Sequence, residues 1–343
     1  MKLDAALLID PTHMRDIARI VQAAEAIGFG ALWAPETQHN SFFPLLIAAE
    51  HSRTIELGTA VTIAFPRSPM VMAQNAWDLQ ALSGGRFILG LGTQVKAHIE
   101  RRYSTLWDAP VARLRDYIGA LRAIWSAWQT GEKLSYQGQF YQHTLMTPFF
   151  NPGPIADPHI PIYIAGVNEG LARLAGEACH GFHVHPFHSV KYINDVVRPQ
   201  IAAGAARAGR PAADIALVSS VFAITGPNDA AIESIRAMAR EQLAFYASTP
   251  TYRVVLECHG WQDAGEQLSR LAAARRWGEM GALITDEMMD VFTVAAPLDR
   301  IGAALRQRYD GVLDRVFSYM PYVPGPLDDA WREIVAAVQG AAN

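Results

Sequence analysis

Along the chain, short apolar runs rich in β-branched and aliphatic residues alternate with longer stretches in which apolar residues recur every three or four positions. The first pattern suits a buried strand and the second a helix with one buried face, so their alternation predicts parallel βαβ units. Strand one is expected over Leu3–Ile9. The helix after it places Ile17, Ile20, Val21, Ala24 and Ile27 on one face and stops at Gly28, a residue that enters the left-handed region freely. Strand two is then Ala31–Ala34, followed by a helix around Leu45–Ser52, strand three over Ile55–Ala64, a helix over Met70–Leu82 and strand four over Phe87–Gly92. A long helix from Pro110 to Trp128 carries Val111, Leu114, Ile118, Leu121, Trp125 and Trp128 at helical spacing. Beyond an irregular stretch over 131–160 come strand five (Pro161–Ala165), a helix over 168–179, strand six (Gly181–His185), a helix over 190–208 and strand seven (Ala216–Ile224). A helix from Asp229 to Tyr246, a helical insertion over about Trp261–Val291 and a helix opening at Pro297, a residue favoured at the first helical position, precede strand eight, Arg315–Tyr319.

Eight strand–helix units are the count of a closed (β/α)8 TIM barrel, an α/β fold of about 250 residues, which leaves about 90 residues for insertions over its C-terminal face. The whole chain, 1–343, is expected to form one such domain, with a helical insertion over about 246–296. The rival, an open doubly wound sheet, ordinarily begins with a glycine-rich phosphate turn after strand one. Here that turn reads Asp10-Pro11-Thr12-His13 and holds no glycine.

Composition narrows the function classes. With 29 Lys+Arg against 33 Asp+Glu, a formal net charge of −4 and no basic run, a surface that tracks nucleic-acid phosphates is not expected. The apolar run near the amino terminus, between Asp4 and Asp10, is far shorter than a membrane span, and no membrane association is expected. Two cysteines, Cys179 and Cys258, are too few for a disulfide framework in a chain of this size, so a reducing cytoplasm is the expected location. The partner that remains is a small-molecule substrate.

The loops divide by face. Ser83-Gly84-Gly85-Arg86 leads into strand four, on the bottom of a barrel, where a structural role is expected. Gly90-Leu91-Gly92-Thr93-Gln94 ends strand four, and Ala165-Gly166-Val167-Asn168-Glu169 ends strand five and opens a helix, so both lie on the catalytic face. Small residues there let backbone amides approach a ligand, and the helix start adds free N–H donors, a combination suited to phosphate or carboxylate.

Three segments together resemble the bacterial luciferase-like superfamily of flavin and deazaflavin barrels: Gly28-Phe29-Gly30-Ala31-Leu32-Trp33-Ala34-Pro35-Glu36, then Leu57-Gly58-Thr59-Ala60-Val61 running to Pro66-Arg67-Ser68-Pro69, then Leu82-Ser83-Gly84-Gly85-Arg86-Phe87-Ile88-Leu89-Gly90-Leu91-Gly92. The segments Ala64–Pro69 and Thr93–His98 are similar to the branch that uses coenzyme F420, which includes methylenetetrahydromethanopterin reductase. The resemblance implies a (β/α)8 barrel, a homodimer contacting through the early helices, and a deazaflavin ring over the C-terminal mouth. The cofactor contacts it implies are Glu36, Thr59, Ala60, Val61, Thr93, Gln94, Ala165, Gly166, Val167 and Asn168, with His185 at the end of strand six. It further implies a cis peptide between Ala60 and Val61. The chain departs from the F420-dependent glucose-6-phosphate dehydrogenases, whose histidine base falls at Thr37 and whose acidic glutamate falls near Val95, so sugar-phosphate oxidation is not expected. The luciferase histidine maps to Thr37 or Gln38.

Among ionisable residues, Glu36 ends strand two and His39 follows three positions later, so the pair is placed to hold or relay a proton at the mouth, and both are expected to be catalytic. His98, Glu100, Arg101 and Arg102 lie in the loop after strand four on the same face, the two arginines read as solvated. His183 and His185 form a His-x-His pair, a pattern that metal-dependent barrel hydrolases also use, but strand one ends in Ile9-Asp10 and strand eight near Tyr319-Met320, so no metal is expected. One of the histidines among His180, His183, His185 and His188 is expected to face the cofactor. The expected activity is an F420-dependent oxidoreductase transferring a hydride between a deazaflavin and a small organic substrate. The alternatives are an FMN-dependent monooxygenase that uses reduced flavin and oxygen, and a flavin-binding relative without catalysis. Trp107, Tyr141, Phe149, Phe150, Tyr252 and Trp261, all in the insertions, suggest a partly apolar pocket.

Overall fold

The computed structural model describes residues 1–7 and 13–340, so the expected end of strand one and the turn after it, residues 8–12, lie outside the described residues. Eight parallel strands form the barrel: β1 Lys2–Ala6, β2 Ala31–Ala34, β3 Glu56–Thr59, β4 Phe87–Gly92, β5 Ile162–Gly166, β6 Gly181–Val184, β7 Ala216–Ile224 and β8 Arg315–Ser318. Each pairs with its neighbours in chain order, and β8 closes the ring by pairing with both β7 (Val218↔Arg315) and β1 (Lys2↔Arg315). The fold is the expected TIM barrel.

Because successive side chains of a strand point to opposite faces, each barrel strand contributes alternately to two cores. Ala31, Trp33, Ile88, Tyr163, Val218 and Phe317 pack inside the barrel, while Leu3, Leu32, Leu57, Leu89, Phe182 and Val316 pack outward against the helices. The bottom of the interior is polar. The Arg315 guanidinium donates to both Asp4 oxygens at 2.7 and 3.0 Å and to Glu56 Oε2 at 2.7 Å, and Trp33 Nε1 donates to Asp4 Oδ2 at 2.8 Å.

The helices follow their sequence signals. Ile17–Ile27 buries the five predicted residues and ends at Gly28 with φ +96°. Pro69–Ser83 starts with Ser68 Oγ accepting from the Val71 N–H at 3.3 Å and with Pro69 at its first position, the favoured arrangement for a helix start. The Ser83–Arg86 turn is structural, as expected: Gly84 and Gly85 both take positive φ, and Arg86 donates to Ser83 O at 2.7 Å, Ser52 Oγ at 2.9 Å and Ile55 O at 2.6 Å.

Four expectations are corrected. Strand three is not continuous over Ile55–Ala64: β3 stops at Thr59, the Ala60–Val61 peptide is cis as the resemblance implies, and a two-residue strand, Thr62–Ile63, resumes alongside β4. Pro297 does not open a helix; Arg300 N–H bonds to its carbonyl in a turn, and the helix runs Ile301–Tyr309. The stretch over 131–160 holds a small antiparallel hairpin, Tyr136–Gln137 with Gln142–His143. After the helical insertion, Thr293–Ala295 adds a short parallel strand beside the upper end of β7.

Candidate functional site

The C-terminal mouth is two-sided. Inward positions at the exits of β3, β4 and β5 carry Ala60, Gly90, Gly92 and Ala165, and Gly166 follows. Backbone approaches so closely here that side chains are excluded: a Cβ on Gly90 would lie 1.8 Å from the Thr59 carbonyl oxygen, and one on Gly92 would lie 2.6 Å from Val61 Cγ2. The result is a shelf with half-exposed Ala60, Val61, Ala165 and Gly166 at its surface. The exits of β6, β7 and β8 instead carry His185, Phe222 and Tyr319.

On that second side the side chains form one cluster. His185 lies edge-on to Tyr246 (centroids 4.6 Å apart) and tilted against Tyr252 (4.5 Å), while Tyr319 stacks on Phe222 at 4.2 Å. The Tyr246 and Tyr319 hydroxyls are 2.8 Å apart and share a hydrogen bond. Burial pushes both phenols above their ordinary value, so both are protonated at neutral pH. His185 Nδ1 accepts the Phe187 N–H at 3.1 Å, which places the ring proton on Nε2. Burial, with His188 nearby, lowers the His185 pKa to about 3, so its imidazole is neutral. The arrangement offers a flat, side-chain-free surface on one side, and on the other aromatic walls with hydroxyl donors.

Glu36 sits at the exit of β2 with its carboxylate fully engaged. Oε2 accepts from Thr62 Oγ1 at 2.6 Å, Ile63 N–H at 2.9 Å and Arg67 Nη1 at 2.9 Å, and Oε1 accepts from Arg67 Nη2 at 2.7 Å. It therefore ties β2 to the strand that resumes after Val61. His39 is exposed on the loop beyond. Thr59 is buried, its hydroxyl donating to Gly90 O at 2.7 Å and accepting from Gly90 N–H at 2.9 Å. Thr93 donates to Gln94 O at 3.2 Å, and Gln94, at φ +60°, accepts the Val95 N–H on its own side chain. Val167 is buried, and its carbonyl accepts from Tyr192. Asn168, exposed, precedes the helix Glu169–Ala178 without capping it by its side chain. The structure thus brings Ala60, Val61, Ala165 and Gly166 to the shelf and His185 to the opposite rim.

The other candidates separate. His98 and Glu100 are exposed on a short helix, Lys96–Arg101. Arg102 is not merely solvated: it donates to the Thr37 carbonyl and stacks over Tyr103, joining the loops after β2 and β4. His183 is buried inside the barrel, edge-on to Trp33 at 4.9 Å, and His188 is buried with its Nδ1 2.9 Å from the His185 carbonyl. Among the described residues no group of three or more His, Cys, Asp or Glu side chains is placed to hold a metal ion. Of the insertion aromatics only Tyr252 joins the His185 cluster. Phe149 and Phe150 project into solvent, and Trp261 stacks on His259. Tyr246 and Tyr319 are the residues that sequence reasoning missed. Tyr319 shares the inward parity of Arg315 and Phe317, a signal available in the sequence, whereas Tyr246 arrives from a helix end with no such signal.

Known proteins share this architecture. The chain is 45% identical over 316 residues, 92% of each chain, to an uncharacterized protein of Mycobacterium tuberculosis. It is 29% identical over 315 residues, 89% of each chain, to the 5,10-methylenetetrahydromethanopterin reductase of Archaeoglobus fulgidus. The solved coenzyme F420 dependent tetrahydromethanopterin reductase of Methanopyrus kandleri superposes with a TM-score of 0.77 at 21% identity, covering 99% of this chain and 98% of that one. The family model for luciferase-like monooxygenases matches residues 3–315, and the chain belongs to that family.

Proposed function

We propose that this chain is an oxidoreductase that uses the deazaflavin coenzyme F420 to move a hydride to or from a carbon of a small organic molecule. The observation that carries the reading is the two-sided mouth, in which a shelf free of side chains faces a rim of phenols and a neutral imidazole. The shelf suits a flat ring: Gly90 and Gly92 admit no Cβ, and Ala60, Val61, Ala165 and Gly166 are the groups such a ring would rest on. Thr93, Gln94 and Asn168, on the loops after β4 and β5, would hold its tail. When bound, the deazaflavin supplies or accepts the hydride. The residues of this chain do the rest. Glu36, through Arg67 and Thr62–Ile63, fixes the backbone of the shelf and is a positioning residue rather than a proton carrier. The Tyr246–Tyr319 pair holds the substrate oxygen and, being protonated, gives it a proton when a carbonyl is reduced. His185 buttresses Tyr246. We also propose that the protein acts in the cytoplasm as a homodimer.

Likeness to the F420-dependent reductases supports the deazaflavin over FMN. The family's monooxygenases support the second reading, reduced FMN with oxygen. A side-by-side titration decides: coenzyme F420 is expected to bind at least about ten-fold tighter than FMN. Equal affinities, or a protein that purifies yellow with FMN, would establish the monooxygenase reading instead. With F420 bound, Tyr319→Phe is expected to lower turnover of a responsive carbonyl substrate by about 100-fold without unfolding the protein.

A further inference from the structure

A cavity of about 380 Å3 lies at the end of the barrel opposite the mouth, where the helix Pro110–Thr130 passes the chain entering β5 and β6. That volume is in the range of small-molecule sites. Trp125, Pro158 and Ile160 give its wall an apolar part, and Arg122, Ser126, His159 and His180 give it a polar one. His180 immediately precedes β6 and His185 follows it, so the length of that strand separates the cavity from the site already described.

The polar groups differ in what they have left to give. Gln129 spends both ends of its amide on the Ile155 backbone, at 3.1 and 3.3 Å, and the Thr130 hydroxyl donates to Ser126 O at 2.9 Å and accepts the Glu132 N–H at 3.2 Å. Arg122 spends one N–H, on the Ala178 carbonyl, and its remaining guanidinium N–H groups can only donate. His180 Nδ1 accepts the Ile162 N–H at 3.0 Å, which leaves the ring proton on Nε2, and His159 lies edge-on to this ring at 4.9 Å. No Asp or Glu lines the cavity. Of the acids close by in the chain, Glu177 is held by Arg115 at 2.8 and 3.0 Å, Asp157 packs against Gly85, and Glu132 is exposed beyond the helix end. The balance of charge agrees. Burial lowers the Arg122 pKa and the Arg210 cation lowers it further, with only the Cys179 thiol opposing. Burial lowers His180 to about 4, and His159, Arg122 and Arg210 add to this against the Ile162 hydrogen bond. Unspent donors and positive charge thus converge on the cavity with no carboxylate to answer them. Water can accept from the donors, but only an anion also balances the charge.

From the donor set, the missing carboxylate and the apolar part of the wall, we infer that this cavity binds a small organic anion: a carboxylate or phosphate group held by Arg122 and His180, carried on a flat apolar body that lies against Trp125, Pro158 and Ile160. The site does not depend on which cofactor the mouth holds. Titrating the intact protein with benzoate, phenyl phosphate, inorganic phosphate and benzyl alcohol, while following the His180 ring and Trp125 indole resonances, tests it. Benzoate and phenyl phosphate are expected to give saturable shifts at both residues, and the tighter of the two identifies the head group. Inorganic phosphate, which lacks the apolar body, is expected to bind at least about ten-fold weaker than phenyl phosphate, and benzyl alcohol, which lacks the charge, at least about ten-fold weaker than benzoate. Arg122→Gln is expected to weaken benzoate by at least about ten-fold, the factor for one charge-assisted hydrogen bond. Saturation with benzoate is expected to raise the His180 pKa, because a neighbouring anion favours the charged ring. Absence of saturable shifts at these two residues, inorganic phosphate matching phenyl phosphate, benzyl alcohol matching benzoate, undiminished benzoate affinity in Arg122→Gln, or an unmoved His180 pKa would overturn the inference; if Arg122→Gln does not fold, the alcohol comparison and the His180 pKa decide.

Discussion

A carboxylate at the exit of a barrel strand can carry a proton or tie the backbone together, and at Glu36 the hydrogen bonds favour the tie. Four donors saturate its two oxygens, and the Glu36 and Arg67 side chains are 7% and 16% exposed, so the pair has little water to fall back on. Glu36→Gln turns an acceptor oxygen into an NH2 group facing the guanidinium and leaves Arg67 without its counter-charge. Removing one partner of a buried ion pair costs about 3 kcal/mol. The expected result is a lower urea midpoint and weaker coenzyme binding, with turnover at saturating coenzyme falling less than either; an unchanged midpoint with slow turnover would restore Glu36 as the proton carrier. Position after strand two was enough to single out Glu36 from the sequence. Its partner, 31 residues on, was not, since nothing in a local pattern couples the two.

Elements were legible where periodicity runs long. The seven-residue or longer apolar stripes of the helices and the inward and outward residues of β4 and β7 can be read directly, because burial on both faces leaves an unbroken apolar run. Three-residue Thr293–Ala295 and the two-residue hairpin strands carry no period to read, and the break after Thr59 was signalled by the resemblance, through the Ala60–Val61 cis peptide it implies, and not by periodicity. Closure itself depends on a pair no strand pattern shows. Arg315 of β8 and Asp4 of β1 meet inside the barrel, both buried, with Trp33 completing the Asp4 hydrogen bonds. Arg315→Met is expected to destabilise the protein by about 3–5 kcal/mol, because it strands the Asp4 carboxylate in the interior. Adding Asp4→Asn is expected to recover part of that loss. Urea unfolding of the two single variants and the double one checks both statements, and a double variant less stable than Arg315→Met would refute the account.

At the scale of the molecule, two features go beyond any one element. Phe43 and Leu46, on the helix Phe42–Glu50, are 61% and 48% exposed, which marks an early-helix face for the proposed dimer. If the native protein sediments as the proposed dimer, a Phe43→Glu, Leu46→Glu double variant is expected to sediment as a monomer, and an unchanged sedimentation coefficient would place the contact elsewhere. The second feature is the response to acid. His183 is buried against Trp33 and Tyr163 inside the barrel, with Arg315 nearby, and burial, assisted by that positive charge, lowers its pKa to about 3. His188 is buried between Ser219 and Tyr309, and burial lowers it to about 4, the hydrogen bonds to the His185 and Pro186 backbone only partly opposing this and Arg308 adding to it. In the unfolded chain both would titrate near 6.5. A closed barrel offers no small opening that exposes His183, so its protonation requires unfolding of the sheet. The unfolded state therefore binds more protons than the native one between about pH 6.5 and 4. Stability from these two groups is complete above pH 6.5 and is lost as pH falls through that window, by about 2 kcal/mol per histidine at pH 5. Carboxylates contribute mainly below that pH, so the interval from 6.5 to 5 isolates the histidines. His180 and His185, lowered by burial to about 4 and about 3, decline in the same window, so denaturant unfolding across it should show the decline in the native protein and about three quarters of it in His183→Gln, whereas a flat native profile down to pH 5 would show that these rings are not held neutral by burial.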